Sequence, residues 1–208
     1  VNKTATFLLL LALGVPAVAV VACGGGTSDG GTDGPPSAPS GSCSAVSQQH
    51  AIEGYAHVPV CSPVSYGTRP PSSGDHYPIW AAYQSYANAV PEGFWVHNLE
   101  HGAIVFSYNC PEGCASEIAA AQALIDGLPA DPLCDPSAGD PRVRMVMTPD
   151  PGLDVKFAAS AWGWTLRASC FDAKAFGAFV AAHYAQGREV VCGQGDDLST
   201  GVPASCGK

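Results

Sequence analysis

Positive charge is scarce in this chain: Lys and Arg together number nine in 208 residues against eighteen Asp and Glu, a formal net charge of -9. A nucleic-acid partner demands a basic surface, so that class is excluded. Two enzyme signatures are missing as well. No serine sits in a G-x-S-x-G elbow, although Ser72, Ser73 and Ser107 offer hydroxyls. The only Gly-rich runs are a polar stretch near the start and an acidic tail, so there is no phosphate loop. No internal repeat is visible. Nor is there an apolar run fit to span a bilayer, because Phe7 to Val21 falls short of the roughly 20 residues required and Gly14 and Pro16 interrupt it.

That short run has Lys3 ahead of it and Val20-Val21-Ala22-Cys23 behind it, the pattern of a lipoprotein signal peptide over residues 1–22. Val1 in first place fits initiation at an alternative start codon. Cleavage would leave Cys23 acylated and make the lipid bilayer a partner. Gly24 stands where inner-membrane lipoproteins commonly carry Asp, so the expected address is the cell envelope, at the outer membrane or cell surface. Residues 23–42 are the lipidated Cys followed by Gly, Ser, Thr, Asp, Pro and Ala, which cannot bury enough apolar surface to offset their conformational entropy. They form a tether. Residues 43–208 suit one extracytoplasmic domain.

What the chain has in plenty is glycine (24), proline (18) and cysteine (9). Apart from Cys23 the cysteines are Cys43, Cys61, Cys110, Cys114, Cys134, Cys170, Cys192 and Cys206, an even set that reads as four disulfides in an exported domain. Thiolate metal ligation is the competing reading. Cys110-Pro-Glu-Gly-Cys114 has three residues between its cysteines, unlike most zinc-knuckle or redox pairs, and an oxidising compartment favours bridges. The connectivity stays open.

Hydrophobic spacing predicts an α+β domain with a mainly antiparallel sheet and two to three helices. A short helix is expected at Val46 to Ile52 and a first strand at Tyr55 to Val60. Arg69 to His76 is a stiff loop, with Pro70 and Pro71 fixing its entry and Gly74 permitting a positive φ. Ile79 to Ala89 reads as a helix, Gly102 to Tyr108 as a buried strand and Glu112 to Leu128 as a helix. Arg142 to Thr148 is a further strand and Phe157 to Ser169 a strand pair or bulged strand. Asp172 should cap a last helix running through Gln186.

The segment His97-Asn98-Leu99-Glu100-His101 puts two imidazoles and a carboxylate within five residues of a chain with six histidines. Residues four apart share a face on a helix, and any even spacing shares a face on a strand, so His97 and His101 can converge on one ion in either conformation. The form H-x-x-E-H is carried by inverted zinc peptidases, in which the glutamate activates water. Those enzymes need a long helix. Pro91, Gly93 and Gly102 here leave room for at most one turn, and an extended segment would turn Glu100 away from both rings.

Metal binding without hydrolysis is the preferred use. His57 and His76 are added candidates, and imidazole suits zinc and copper alike. Met145 and Met147 share one side of a predicted strand, where thioethers would tilt a site toward Cu(I) but more often fill a core. His50 reads as a surface residue and His183 as a helix residue with a satisfied polar tip. A metal-free hydrogen-bond network that pins a loop to the sheet accounts for the same cluster.

Arg69-Pro-Pro-Ser-Ser-Gly-Asp-His76 followed by Val96-His-Asn-Leu-Glu-His-Gly102 resembles a bacterial family catalogued as a domain of unknown function, marked by a P-P-x-S-G-x-H loop and a V-H-N-L-E-H-G motif. The likeness extends to Met147-Thr-Pro-Asp-Pro-Gly-Leu153 and to Ala161-Trp162-Gly163, and spans roughly residues 55–183. It implies an exported or membrane-anchored protein whose motif positions are Pro70, Pro71, Ser73, Gly74, His76, His97, Glu100, His101, Gly102 and Trp162. Asp75 stands where the family commonly has proline, and the extra cysteines read as stapling that leaves the site untouched.

The resulting expectation is a lipid-anchored envelope protein that binds copper or zinc through His76, His97, His101 and His57. Glu100 and Asp75 would stand behind the ligands and fix their tautomers. A metal-dependent hydrolase with Glu100 as base is one alternative. A metal-free envelope-interaction module is the other, and no protein partner is specified by the sequence.

Overall fold

Five strands form one sheet: β1 (Ala45–Gln49), β2 (Ile104–Tyr108), β3 (Met145–Pro149), β4 (Phe157–Ala161) and β5 (Trp164–Ala168). Their order is β1-β5-β4-β2-β3, with β2 and β3 parallel and every other pair antiparallel. Three helices accompany them: α1 (Glu92–Glu100), α2 (Ala115–Asp126) and α3 (Ala173–His183). The fold is α+β, as the sequence predicts. This computed structural model describes residues 42–202 and residue 206. The signal peptide, Cys23 and nearly all of the tether lie outside the described residues.

The two-residue period of the strands divides the core. Ile104, Phe106, Met145 and Met147 join Phe157, Phe176, Phe179 and Val180 in a cluster on the side of α2 and α3. Val105 and Val146 point the other way, to Phe94, Trp95, Val96 and Leu99 of α1 and to Tyr77, Ala81 and Tyr86 of the loops before it. Met145 and Met147 are thus packing residues of the helix-side core. The Phe157 to Ser169 stretch is a hairpin turned at Trp162-Gly163, where Gly163 has φ 74°. Asp172 caps α3 by accepting from the backbone N–H groups of Lys174 and Ala175.

Four sequence expectations are corrected. Val46 to Ile52 is not a helix; Ala45–Gln49 is an edge strand on β5, because ladder hydrogen bonds outweigh a weak helical preference. Tyr55 to Val60 is no strand but makes one bridge, His57 with His76. Ile79 to Ala89 is irregular. Its Gln84 carbonyl accepts from Met147 N–H and its Tyr86 N–H donates to the Met147 carbonyl, so the segment covers the outer edge of β3. Finally, α3 ends at His183, not Gln186, and Tyr184 takes an extended conformation.

The eight cysteines of the domain lie in four disulfide pairs, Cys43–Cys170, Cys61–Cys206, Cys110–Cys114 and Cys134–Cys192. Such pairing indicates an oxidising compartment. Among the described residues no helix is long and apolar enough to cross a membrane.

Candidate metal centre

The histidine motif is helical. Pro91 precedes the first residue of α1, where its missing N–H costs nothing, and Gly93 is required by close packing, since a Cβ there would lie 2.5 Å from the Tyr77 ring. Gly102, with φ 82°, ends the helix by donating its N–H to the Leu99 carbonyl. Nine helical residues therefore replace the single turn allowed from sequence. Glu100, three residues after His97, lies on the same face as His97 and not on the opposite one.

A backbone bridge brings up the other two histidines. Val58 N–H donates to the His76 carbonyl and His76 N–H to the Ala56 carbonyl, which sets the His57 and His76 rings 5.1 Å apart. His57 is also 4.8 Å from the His97 ring and His76 4.7 Å from it. One ligand atom from each of His57, His76, His97 and Glu100 falls within 4.8 Å of the other three. His57, His76 and His97 do converge. Glu100 joins them as a direct ligand candidate, in place of the supporting role expected of it.

Hydrogen bonds fix which ring nitrogens are free. Nδ1 of His76 lies 2.8 Å from the Gly74 carbonyl and Nδ1 of His97 lies 2.7 Å from the Tyr77 carbonyl. A carbonyl only accepts, so both Nδ1 atoms carry hydrogen and, in the neutral rings, both Nε2 atoms carry lone pairs. Nε2 of His76 is 3.0 Å from Oε2 of Glu100, and Nε2 of His57 is 3.9 Å from the same oxygen. In the neutral ring this sets one acceptor against another. Leaving buried polar atoms so placed is costly, and His76 is fully buried with Glu100 1% exposed.

His101 stands outside this group of four. Its Nε2 donates to Nε2 of His97 at 3.2 Å, to the lone pair that His97 turns toward the group. Burial, with the neighbouring His101 next in weight, pushes the His97 imidazole down from 6.5 to about 3. Burial also lowers the His101 value. Asp75 does not orient His76. Its Oδ1 accepts from Ala56 N–H, and the ring is held by the Gly74 carbonyl, one residue earlier. Ser73 accepts from Glu53 N–H, His50 bonds Thr165 at 2.8 Å and His183 stacks on Trp164, so none of the three belongs to the cluster.

Sequence reasoning missed two neighbours. Trp80 packs its ring 5.1 Å from His97 and 4.7 Å from His101, placed there by Asn98, whose amide bonds both the N–H and the carbonyl of Ala81. Arg188 bonds Oε1 of Glu100 at 2.9 Å and lies 4.2 Å above the Tyr55 ring. The Cys134–Cys192 bridge follows four residues after Arg188 in the same segment, and no cysteine belongs to the group of four.

A family model described as Protein of unknown function (DUF3105) matches residues 57–194. The chain belongs to this family. The DUF3105 match opens at His57 and encloses every member of the cluster together with Trp80 and Arg188. Comparison with curated proteins returned no match, and comparison with solved structures returned none.

Proposed function

We propose that this DUF3105 protein binds a divalent transition metal, zinc or copper, through Nε2 of His57, His76 and His97 and Oε2 of Glu100. The observation that carries the reading is the 3.0 Å approach of His76 Nε2 to Glu100 Oε2 while the His76 Nδ1–H is spent on a carbonyl. A shared cation removes that conflict. Tetrahedral zinc with bonds of about 2.0 to 2.1 Å puts its ligand atoms about 3.3 Å apart; the two Glu100 edges measure 3.0 and 3.9 Å, and the group, spread within 4.8 Å, would draw together slightly around an ion. The donor set has no thiolate or thioether, which favours Zn(II) or Cu(II) over Cu(I). When the ion takes the His97 lone pair, His101 gives up its hydrogen bond to that atom.

One other occupant suits the same geometry. A proton on His76 Nε2 would make an imidazolium paired with Glu100, a metal-free scaffold of the kind an envelope-interaction module would use. A hydrolase with Glu100 as base fits less well, because Oε1 is bonded to Arg188 and Oε2 faces His76. The lipid anchor at Cys23, and with it the outer membrane or cell surface as address, belongs to the same proposal and rests on the signal pattern alone.

Elemental analysis of the untagged protein with its disulfides intact separates the two occupants. Stoichiometric zinc or copper, lost in a folded His76→Ala, His97→Ala variant, is the expected result. A wild-type protein that purifies without metal and takes up neither added Zn2+ nor added Cu2+ tightly overturns the metal reading in favour of the proton.

A further inference from the structure

Glu100 presents two oxygens, and the protein treats them differently. Oε2 faces His57 and His76, whereas Oε1 is bonded to Nη1 of Arg188 at 2.9 Å. The same Nη1 also bonds Glu189 at 2.7 Å, and the guanidinium lies over Tyr55. Arg188 is therefore held by three groups on the outer side of a carboxylate that is itself almost wholly buried.

The segment that carries Arg188 is built to lie on the end of α1. Ala185 N–H donates to the Gly102 carbonyl and Glu189 N–H to the Glu100 carbonyl. Between them Gly187 passes so close that a Cβ would fall 2.2 Å from both the Glu100 carbonyl oxygen and the Gly102 nitrogen. Only glycine permits that approach. Beyond Arg188, Arg144 reaches the Val191 carbonyl and Cys192 is bridged to Cys134.

We propose that Arg188 determines which ions the cluster accepts, by occupying Oε1 so that Glu100 offers the ion a single oxygen. This rests on the metal reading above. One carboxylate oxygen and three imidazoles make a four-coordinate set, suited to Zn2+. A carboxylate free to bind through both oxygens raises the coordination number and suits ions that prefer six or more oxygen-rich ligands, such as Mn2+. Arg188 is a positioning residue in this scheme, since it acts on the ion through Glu100.

The test compares the full protein with its Arg188→Gln and Arg188→Lys variants, and with Tyr55→Leu, which frees Arg188 from one of its supports. Zn2+ and Mn2+ affinities are measured by competition, and the visible absorption of the Co2+-loaded protein reports coordination number. Arg188→Gln is expected to lower the ratio of Zn2+ to Mn2+ affinity by about tenfold or more, in the range that supporting residues have on metal sites. Its Co2+ bands should weaken from the intense four-coordinate pattern toward the faint pattern of higher coordination. Arg188→Lys keeps the charge and a donor but not the flat guanidinium that lies over Tyr55, and restores the ratio in part. Tyr55→Leu shifts the ratio in the same direction by less. A Gln variant that binds Zn2+ with the wild-type ratio and the wild-type Co2+ spectrum overturns the proposal and leaves the metal site standing. A wild-type protein that binds no ion overturns the metal reading and this proposal with it, an outcome distinct from the first.

Discussion

The two faces of the sheet are built by opposite means. On the face of α2 and α3, side chains such as Phe106, Phe157, Phe176 and Phe179 interlock, and the backbone there is regular helix and strand. On the face of α1 the covering segments, from Gly54 to Val90 and from Ala185 to Leu198, are largely irregular and hold position through scattered backbone hydrogen bonds and a second apolar cluster. His76, His97, Asn98, Glu100 and His101 are all buried there, against polar side chains and carbonyls. One face is stabilised by area removed from water, which tolerates small displacements. The other adds to its own apolar cluster, with Phe94, Trp95 and Leu99, a layer of polar groups that must meet their partners closely, as a ligand site requires.

The largest expected effects fall on the face of α2 and α3. Phe176→Ala, at a fully buried ring that touches Phe106, Phe157 and Phe171, should cost about 3 to 5 kcal/mol in a denaturant titration with disulfides intact. Molecules that remain folded should bind metal as wild type does. A parallel loss of metal affinity in the folded fraction would show that the two faces are not independent. Arg144 links the faces, because it pairs with Asp131 at 2.8 Å and donates to the His101 carbonyl at the end of α1. Asp131→Ala strands that buried guanidinium and should cost about 3 to 5 kcal/mol while also weakening metal binding.

Acid distinguishes the faces next. The His97 value is depressed to about 3 in the folded protein against 6.5 for the free side chain, so between those values the unfolded chain binds a proton that the native one refuses. The stability this group contributes is fully present above about 6.5 and is lost as pH falls toward 3. Metal-free protein should therefore unfold at lower denaturant at pH 4.5 than at pH 7.5. His97→Gln should flatten that dependence, and a midpoint difference as large as wild type's would sink the assignment. Bound metal should steepen the loss, since protons compete with the ion for imidazole.

The same division explains what could be read from the sequence. The helix-side face follows from periodicity: Ile104 to Tyr108, the Phe157 to Ser169 pair and the Asp172-capped helix carry their signals in their own residues. Three histidines of the centre were legible as residue types in shaped segments. The role of Glu100 was not, because Pro91 and Gly93 count against a helix locally, and nothing in the sequence shows that Tyr77 packs over Gly93. Asp75 was misread for a similar reason: a carboxylate beside a histidine suggests a partner, but neighbours along an extended chain point apart, and the Gly74 carbonyl was the nearer acceptor. Arg188 lies 88 residues from Glu100, and pairings at that distance leave no local trace.

The smallest effects give the sharpest contrast between the faces. Asp172→Ala removes the cap of α3, leaving the N–H groups of Lys174 and Ala175 without their side-chain acceptor, and should cost about 1 kcal/mol with metal affinity unchanged. Gly74→Ala perturbs a buried loop position, where Gly74 has φ 131° and a Cβ would lie 2.7 Å from the Tyr66 ring. The backbone strain is of order 1 to 3 kcal/mol, comparable to the lost cap. Its consequence differs in kind, because the Gly74 carbonyl sets the tautomer of His76 and a loop that shifts to relieve the clash turns that carbonyl away from Nδ1. Metal affinity in Gly74→Ala should fall by about 10- to 100-fold, as it does when a residue that orients a ligand is lost. Equal metal affinity in the two variants, measured by competition at matched stability, would mean that the face of α1 is as forgiving as the face of α2 and α3 and that the cluster is not held to ligand geometry.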